Sequence, residues 1–198
     1  MNFAEYRREA ELILRQTPAE CALYPLIDGF LREFPKIGKL SLRCIALYQA
    51  KQIWEPEKLM FPMGKDGKLA ALDFAILPLD FDYKKTPKGL LPGAVEVKAI
   101  YTDLDTELHK KPGQITGGLS RFRRIIYTNG LEWRVYEKSS PGSCKSVSLG
   151  EYTDKSGGSV RKGRKYSPSS SDKIQWFGEE KWQELRRMIE GINWEEQK

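Results

Sequence analysis

A single histidine, His109, stands among 198 residues. Its scarcity excludes histidine-rich zinc sites. A serine or cysteine triad would have to borrow that one imidazole from a lysine-rich segment with no third group to orient it. Cysteine is nearly as sparse. Cys21, Cys44 and Cys144 are odd in number and lack metal-ligand spacing, and Cys21 and Cys44 fall in apolar helical stretches that predict buried thiols. Long apolar runs are missing: no window approaches the roughly 18 residues of a membrane span. The amino terminus is charged and carries no apolar signal segment. Together these absences predict a cytoplasmic, reducing setting. Neither a P-loop nor a methyltransferase glycine motif occurs, so no engine and no methyl-transfer activity is expected of this chain.

What is abundant is charge, with 33 basic and 27 acidic residues, a net charge of +6 and a pI near 9.1. That balance suits a polyanionic partner. Hydrophobic residues make up 40% and aromatics 11%, enough for a core, and the length fits one domain over residues 1–198. Its core is expected over about 17–137, followed by a basic Ser/Gly-rich stretch over about 139–171 and a last helix over about 178–192.

The pattern along the chain alternates between helix and strand. Phe3 to about Arg15 is amphipathic. Thr17-Pro18-Ala19-Glu20 reads as a capping box with proline at the first helical position and Glu20 at N3. The helix it would open, to about Phe34, carries Cys21, Tyr24, Ile27, Leu31 and Phe34 as an apolar stripe. Ser41 to about Gln52 reads as a further helix. Strands are predicted from about Lys58, with a turn at Gly64–Gly67, then over Leu69–Leu77 and Gly93–Ile100. A helix should fill much of Asp105–Phe122, though Gly117-Gly118 weakens it. Arg124–Thr128 and Glu132–Glu137 flank Asn129-Gly130, which predicts a hairpin with a type I′ turn. In the basic stretch, Arg161, Lys162, Arg164 and Lys165 belong either to a solvated linker or to a loop that contacts phosphates. Mixed order with a strand meander means an α/β or α+β sandwich.

Two of these strands carry the chemistry. Side chains alternate along a strand, so Glu96 and Lys98 share a face while Val95 and Val97 share the other. Asp73 shares its face with Ala71 and Ala75, opposite Leu72, Phe74 and Ile76. Each strand then has one apolar face for a core and one charged face with room beside it. Two carboxylates on one side of a sheet can hold a hard divalent cation through oxygen. A lysine two residues on can orient a water beside it. That set suits metal-assisted phosphodiester hydrolysis, although an Asp and a Glu-x-Lys in a chain this charged also arise as solvated strand edges.

The segments Ala71–Leu77, Ala94–Ile100 and Arg124–Tyr136, the last with Thr128-Asn129-Gly130 and Trp133, resemble the PD-(D/E)XK nuclease superfamily. The likeness is strongest to nuclease domains of type I and single-polypeptide type I-like restriction enzymes, and it covers about Thr17 to Tyr136. No proline directly precedes Asp73, and the Asp80–Pro92 loop is long. The resemblance implies a restriction-endonuclease-like sandwich, a mixed central sheet with an αβββαβ core flanked by helices. It implies that Asp73, Glu96 and the Val97 carbonyl hold Mg²⁺, with Mn²⁺ able to substitute, and that Lys98 orients the attacking water. Gln114 falls where such domains carry a glutamine that positions water or the DNA backbone; an exposed helical polar residue is the other reading. Glu20 is a further metal ligand, a charge partner for Lys98, or simply the N3 cap. Arg121, Arg123 and Arg124 are candidates for holding phosphates.

The function this implies is a Mg²⁺-dependent DNA endonuclease in restriction or another defence system. The alternatives are a non-catalytic nucleic-acid-binding or assembly module on the same fold, and a recruited nuclease domain of a larger restriction–modification protein. Motor, methyltransferase or specificity partners would fit, as would a homodimer on DNA.

Overall fold

A computed structural model describes residues 1–46, 59–63, 68–85, 89–111, 113–153 and 173–194. The expected Gly64–Gly67 turn and Arg161, Lys162, Arg164 and Lys165 lie outside the described residues.

Helix α1 (Phe3–Gln16) starts at a capping box, but one built by Asn2 and Glu5. The box expected at Thr17–Glu20 does not form. A short 3₁₀ turn runs over Glu20–Leu23, its N-cap Ala19 offers no side-chain bond, and α2 (Tyr24–Arg32) begins beside Pro25. Proline cannot donate an amide hydrogen, so it is accommodated where a helix begins and its first amides have no partner anyway. Glu20 is thereby released from the N3 role. One turn of helix, α3 (Pro35–Gly38), follows.

Ser41–Cys44 is not helical. It is strand β1, antiparallel to β4 (Phe74–Leu77). Leu42 is buried between a half-buried Ser41 and an exposed Arg43, the alternation of a strand. Pairing with β4 overrides the apolar spacing that suggested a helix. Strands β2 (Phe61–Met63) and β3 (Lys68–Ala70) form a separate two-stranded ribbon. The segment expected as one strand, Leu69–Leu77, is therefore broken at Ala71–Asp73, with Leu69 on the ribbon 53% exposed. The break changes the faces. Leu72 packs in the same cluster as Ala75, while Phe74 and Ile76 enter the other.

The central sheet has six strands in the order β1-β4-β5-β6-β7-β8. Strand β5 (Gly93–Val97) is antiparallel to β4 and parallel to β6 (Arg124–Thr128), and the crossover between β5 and β6 contains α4 (Leu104–Lys110) and α5 (Gly113–Gly118). The hairpin of β6 with β7 (Glu132–Glu137) is present. Its connection is not a two-residue turn: Thr128 pairs with Trp133, leaving residues 129–132. The Asn129 carboxamide accepts from the amides of Leu131 and Glu132, and Gly130 takes φ +83°. Beyond Glu137, the polar stretch expected as a loop begins with two strands, β8 (Ser140–Ser148) on β7 and β9 (Gly150–Thr153), which pairs with β10 (Lys173–Trp176). Helix α6 (Glu179–Glu190) closes the fold where its period predicted it, burying Trp182, Leu185 and Ile189.

The result is a mixed α/β sandwich: a six-stranded mixed sheet flanked by helices, with the helix–strand–strand–strand–helix–strand order expected. On one side Val95, Val97, Ile126 and Trp133 pack with Phe3, Tyr6, Phe30 and Trp182 from α1, α2 and α6. On the other, Ala75, Ala94, Ile125 and Tyr127 pack with Leu104, Ile115 and Leu119. The sheet is thus covered on both faces, and the charged strand face is not open to solvent. Cys21 and Cys144 are exposed and Cys44 half-buried, so the expected burial of Cys21 and Cys44 does not occur. Among the described residues, no helix is long and apolar enough to cross a membrane.

The Gly117-Gly118 pair is a packing requirement. A Cβ on Gly117 would meet the Phe61 ring and the Pro62 carbonyl oxygen, each at 2.8 Å, and one on Gly118 would meet Ile125 Cδ1 at 2.6 Å. Gly117→Ala is therefore expected to destabilise by about 1–3 kcal/mol, as overpacking does, outweighing the roughly 1 kcal/mol that alanine gains in helix propensity. Urea unfolding of the two proteins measures the difference; a more stable variant would contradict this packing.

Candidate active site

Asp73 lies immediately before β4, at the end of the sheet where β5 and β6 finish. Its backbone carbonyl accepts from the amides of Ile45 and Ala46, at 2.7 and 3.1 Å, which ties the break before β4 to the end of β1. Its carboxylate is held twice more. The Val97 amide donates to Oδ2 at 2.7 Å, and the Tyr24 hydroxyl donates to Oδ1 at 2.6 Å. Glu96 is the penultimate residue of β5. Lys98 follows it, with its amide donating to the Thr128 carbonyl at 2.8 Å and so extending the parallel ladder. The Lys98 ammonium donates to Glu96 Oε1, and Gln114 Nε2 donates to the same oxygen at 2.5 Å. Glu20 reaches in from the 3₁₀ turn, with Oε2 3.9 Å from Lys98 Nζ.

Five of the expected site residues therefore meet: Asp73, Glu96, Lys98, Gln114 and Glu20. The first four are buried, Glu96 to 4% exposure. Gln114 is consequently not the exposed helical residue that one reading allowed. It is carried near the start of α5, which the glycine pair lets approach the ribbon closely. Glu20 stands as a charge partner of Lys98 rather than as a cap.

Burial sets the electrostatics. It pushes the Glu96 carboxyl up to about 8, with repulsion from Asp73 adding to the rise and Lys98 opposing it. Burial also raises the Asp73 carboxyl, against the Tyr24 and Val97 hydrogen bonds and the Lys98 charge. Glu20 is raised by desolvation despite Lys98. Desolvation works against the charge of Lys98, but Glu96 and Glu20 outweigh it and keep the ammonium above its ordinary value. Three carboxyl groups thus crowd one buried ammonium, and a divalent cation among them would favour their ionised forms.

The donor set fits a hard cation in kind, being carboxylate and carbonyl oxygens. Asp73 and Glu96 with the Val97 carbonyl would hold it. Glu20 stands beside them, at Lys98; among the described residues no group of three His, Cys, Asp or Glu side chains is gathered around one point.

Arg121, Arg123 and Arg124 are not in this cluster. They sit at the start of β6, and the strand length to Thr128 is about 13 Å at roughly 3.3 Å per residue. The Arg123 guanidinium donates to the Leu90 carbonyl, and Arg124 lies 3.9 Å from Glu137.

Sequence reasoning missed Tyr24. It reads as one residue of an apolar stripe, and its ring does stand edge-on to Phe74 at 5.3 Å. Its hydroxyl becomes informative only once the fold sets it against Asp73. Tyr24→Phe is expected to cost about 1.5–3 kcal/mol at pH 8, the range for a bond to a charged group. The cost should shrink as pH falls, because a proton on Asp73 removes the charge that the hydroxyl faces. Urea titrations at pH 5 and pH 8, repeated in an Asp73→Asn background, measure it; equal costs in both backgrounds would remove Tyr24 from the site.

A scan against protein-family models gives no match, and neither does a search of the curated proteins. Among solved structures, the chain is similar to part of a cryo-EM structure of a DrdV–DNA complex, with a TM-score of 0.47 and 13% identity over 73% of this chain. The chain spans 12% of the length of that structure's matching chain.

Proposed function

We propose that this protein is a metal-dependent deoxyribonuclease that hydrolyses phosphodiester bonds, serving restriction or another defence system. The observation that carries the proposal is the buried cluster of Asp73, Glu96, Lys98 and Gln114 at one end of the sheet. Its resemblance in sequence to the PD-(D/E)XK nucleases supports the same reading. Bound between Asp73, Glu96 and the Val97 carbonyl, Mg²⁺ would lower the pKa of an attacking water and polarise the scissile phosphate. The chain's own groups do the rest. Tyr24 and the Val97 amide fix the Asp73 carboxylate, while Gln114 donates to Glu96 Oε1 beside Lys98. Lys98 is kept charged by its acidic neighbours, so it orients the attacking water and offsets the charge that gathers on the phosphorane. The net basic charge favours a polyanionic substrate. Cutting both strands calls for two such sites, which a homodimer on DNA would supply, and specificity would come from partner subunits.

The test is incubation of supercoiled and linear DNA with Mg²⁺, Mn²⁺ or Ca²⁺. Nicking or cutting with the first two and not with Ca²⁺ is the expected result. Salt-sensitive binding without any cleavage would replace the nuclease with a nucleic-acid-binding module on the same fold.

A further inference from the structure

Beside the carboxylate cluster lies a cavity of about 970 Å³, walled by α2, β1 and the segment 77–83. It is at the upper end of the size of ligand pockets, which run about 300–1,000 Å³. Tyr24 is shared between the two: its hydroxyl bonds Asp73 and its residue lines the cavity, so the cavity borders the Asp73 side of the cluster. The walls are rich in aromatic rings, with Phe74 and Tyr24 inside and Phe81 and Tyr83 toward the mouth. Tyr83 is 44% exposed and Leu79 75% exposed, which puts two large apolar groups at the rim.

The charge around them is complementary to phosphate. Arg43 is exposed on β1, and Lys84 and Lys85 follow Tyr83, with Lys84 Nζ 5.9 Å from the Tyr83 ring centre. Of the acidic groups here, Asp80 is exposed beside Leu79, while Asp28 and Asp82 are engaged. Asp28 takes two bonds from the Arg32 guanidinium, at 2.7 and 2.9 Å, and Asp82 accepts from the Lys84 amide and lies 3.6 Å from Lys85. Aromatic faces beside a cationic rim are the elements that hold single-stranded nucleic acid, because rings stack on bases and cations follow the backbone. Paired, stacked bases in a duplex do not offer those faces.

We propose that this groove binds unstacked bases of a single-stranded DNA segment next to the scissile phosphate, so that the substrate is single-stranded or frayed DNA. The proposal rests on the nuclease reading above and adds the substrate class to it.

Fluorescence anisotropy in EDTA tests it without cleavage, using a labelled oligo(dT) and a blunt duplex of equal length. The wild-type protein is expected to bind oligo(dT) at least about tenfold more tightly. Tyr83→Ala should weaken that binding about 5- to 150-fold, the effect of losing one base stack, and Leu79→Glu should weaken it by charge, with the duplex unaffected. Both positions are exposed, so both variants should fold. Duplex binding equal to or tighter than oligo(dT) binding, or two variants that bind oligo(dT) like the wild type, would overturn the groove assignment. The two readings fail separately. Metal-dependent duplex cutting without a single-strand preference removes the groove and keeps the nuclease; a Tyr83-dependent preference for oligo(dT) without any cleavage does the reverse.

Discussion

Replacing Lys98 by methionine is expected to reduce Mg²⁺-dependent cleavage by about 10³-fold or more while leaving DNA binding within about twofold. Loss of one preorganised group facing the transition-state charge costs about 10²–10³ in rate, and here the same side chain also orients the water. Methionine keeps most of the unbranched stem, so packing around the end of β5 is retained. A second consequence follows from the contacts. The ammonium bonds Glu96 and restrains the rise of its carboxyl. Without it, Glu96 goes further above about 8 and holds its proton more firmly, so more Mg²⁺ is needed. Raising the pH to 9 should recover metal affinity but not rate. Arginine should not rescue, since a planar fork cannot take the place of a compact ammonium between Glu96 and Glu20. Cleavage rates across Mg²⁺ concentrations at pH 7.5 and 9 separate the two effects. A variant that loses only affinity, with full rate at saturating metal, would make Lys98 a structural counter-ion alone.

The second large effect is on stability. The Glu96 carboxyl has an ordinary value of 4.5 and is pushed to about 8 in the fold. Between those values the unfolded chain has released the proton and the folded chain retains it. The unfolded state binds fewer protons, so stability must fall as pH rises from about 4.5 to about 8, then level off. The slope is at most about 1.4 kcal/mol per pH unit for one group. Asp73 is shifted in the same direction. The Lys98 contribution is complete below its ordinary value of 10.5 and is lost only above it, outside this window.

In EDTA, the Glu96→Gln protein should accordingly be the more stable one at pH 8, by a few kcal/mol, and the difference should vanish toward pH 4.5. Added Mg²⁺ should stabilise the wild type at pH 8 by binding the folded state and do little for Glu96→Gln. Paired urea unfolding at several pH values measures this. A difference between the two proteins that does not change with pH would mean that Glu96 keeps an ordinary carboxyl.

Much of this site was legible because a strand repeats every two residues. Glu96 and Lys98 needed only that period and the valines that alternate with them at 95 and 97, and the hairpin over Arg124–Glu137 needed only Asn-Gly between apolar runs. What could not be read depended on contacts distant in sequence. Leu42, Ile45, Ala46 and Tyr48 fit a helical stripe, and only pairing with Phe74–Leu77 makes Ser41–Cys44 a strand. The first strand of the meander then reads as starting near Lys58, whereas Phe61–Met63 builds the outlying ribbon. Glu20 fits a capping box as well as a place beside Lys98, and only the fold, which sets it 3.9 Å from Lys98, separates the two. Gly117-Gly118 looks like a defect in a helix until Phe61 and Ile125 are seen against it.

The most direct measurement is cleavage of a supercoiled plasmid in Mg²⁺ by the wild-type protein and by Asp73→Ala, prepared side by side and matched for folding by circular dichroism. Nicked and linear products are expected from the wild type and none from the variant, because Asp73 is bonded to Val97 and Tyr24 at the point where the cation would be held. Equal cleavage by both proteins would contradict this assignment and move the activity, if any, to another part of the chain.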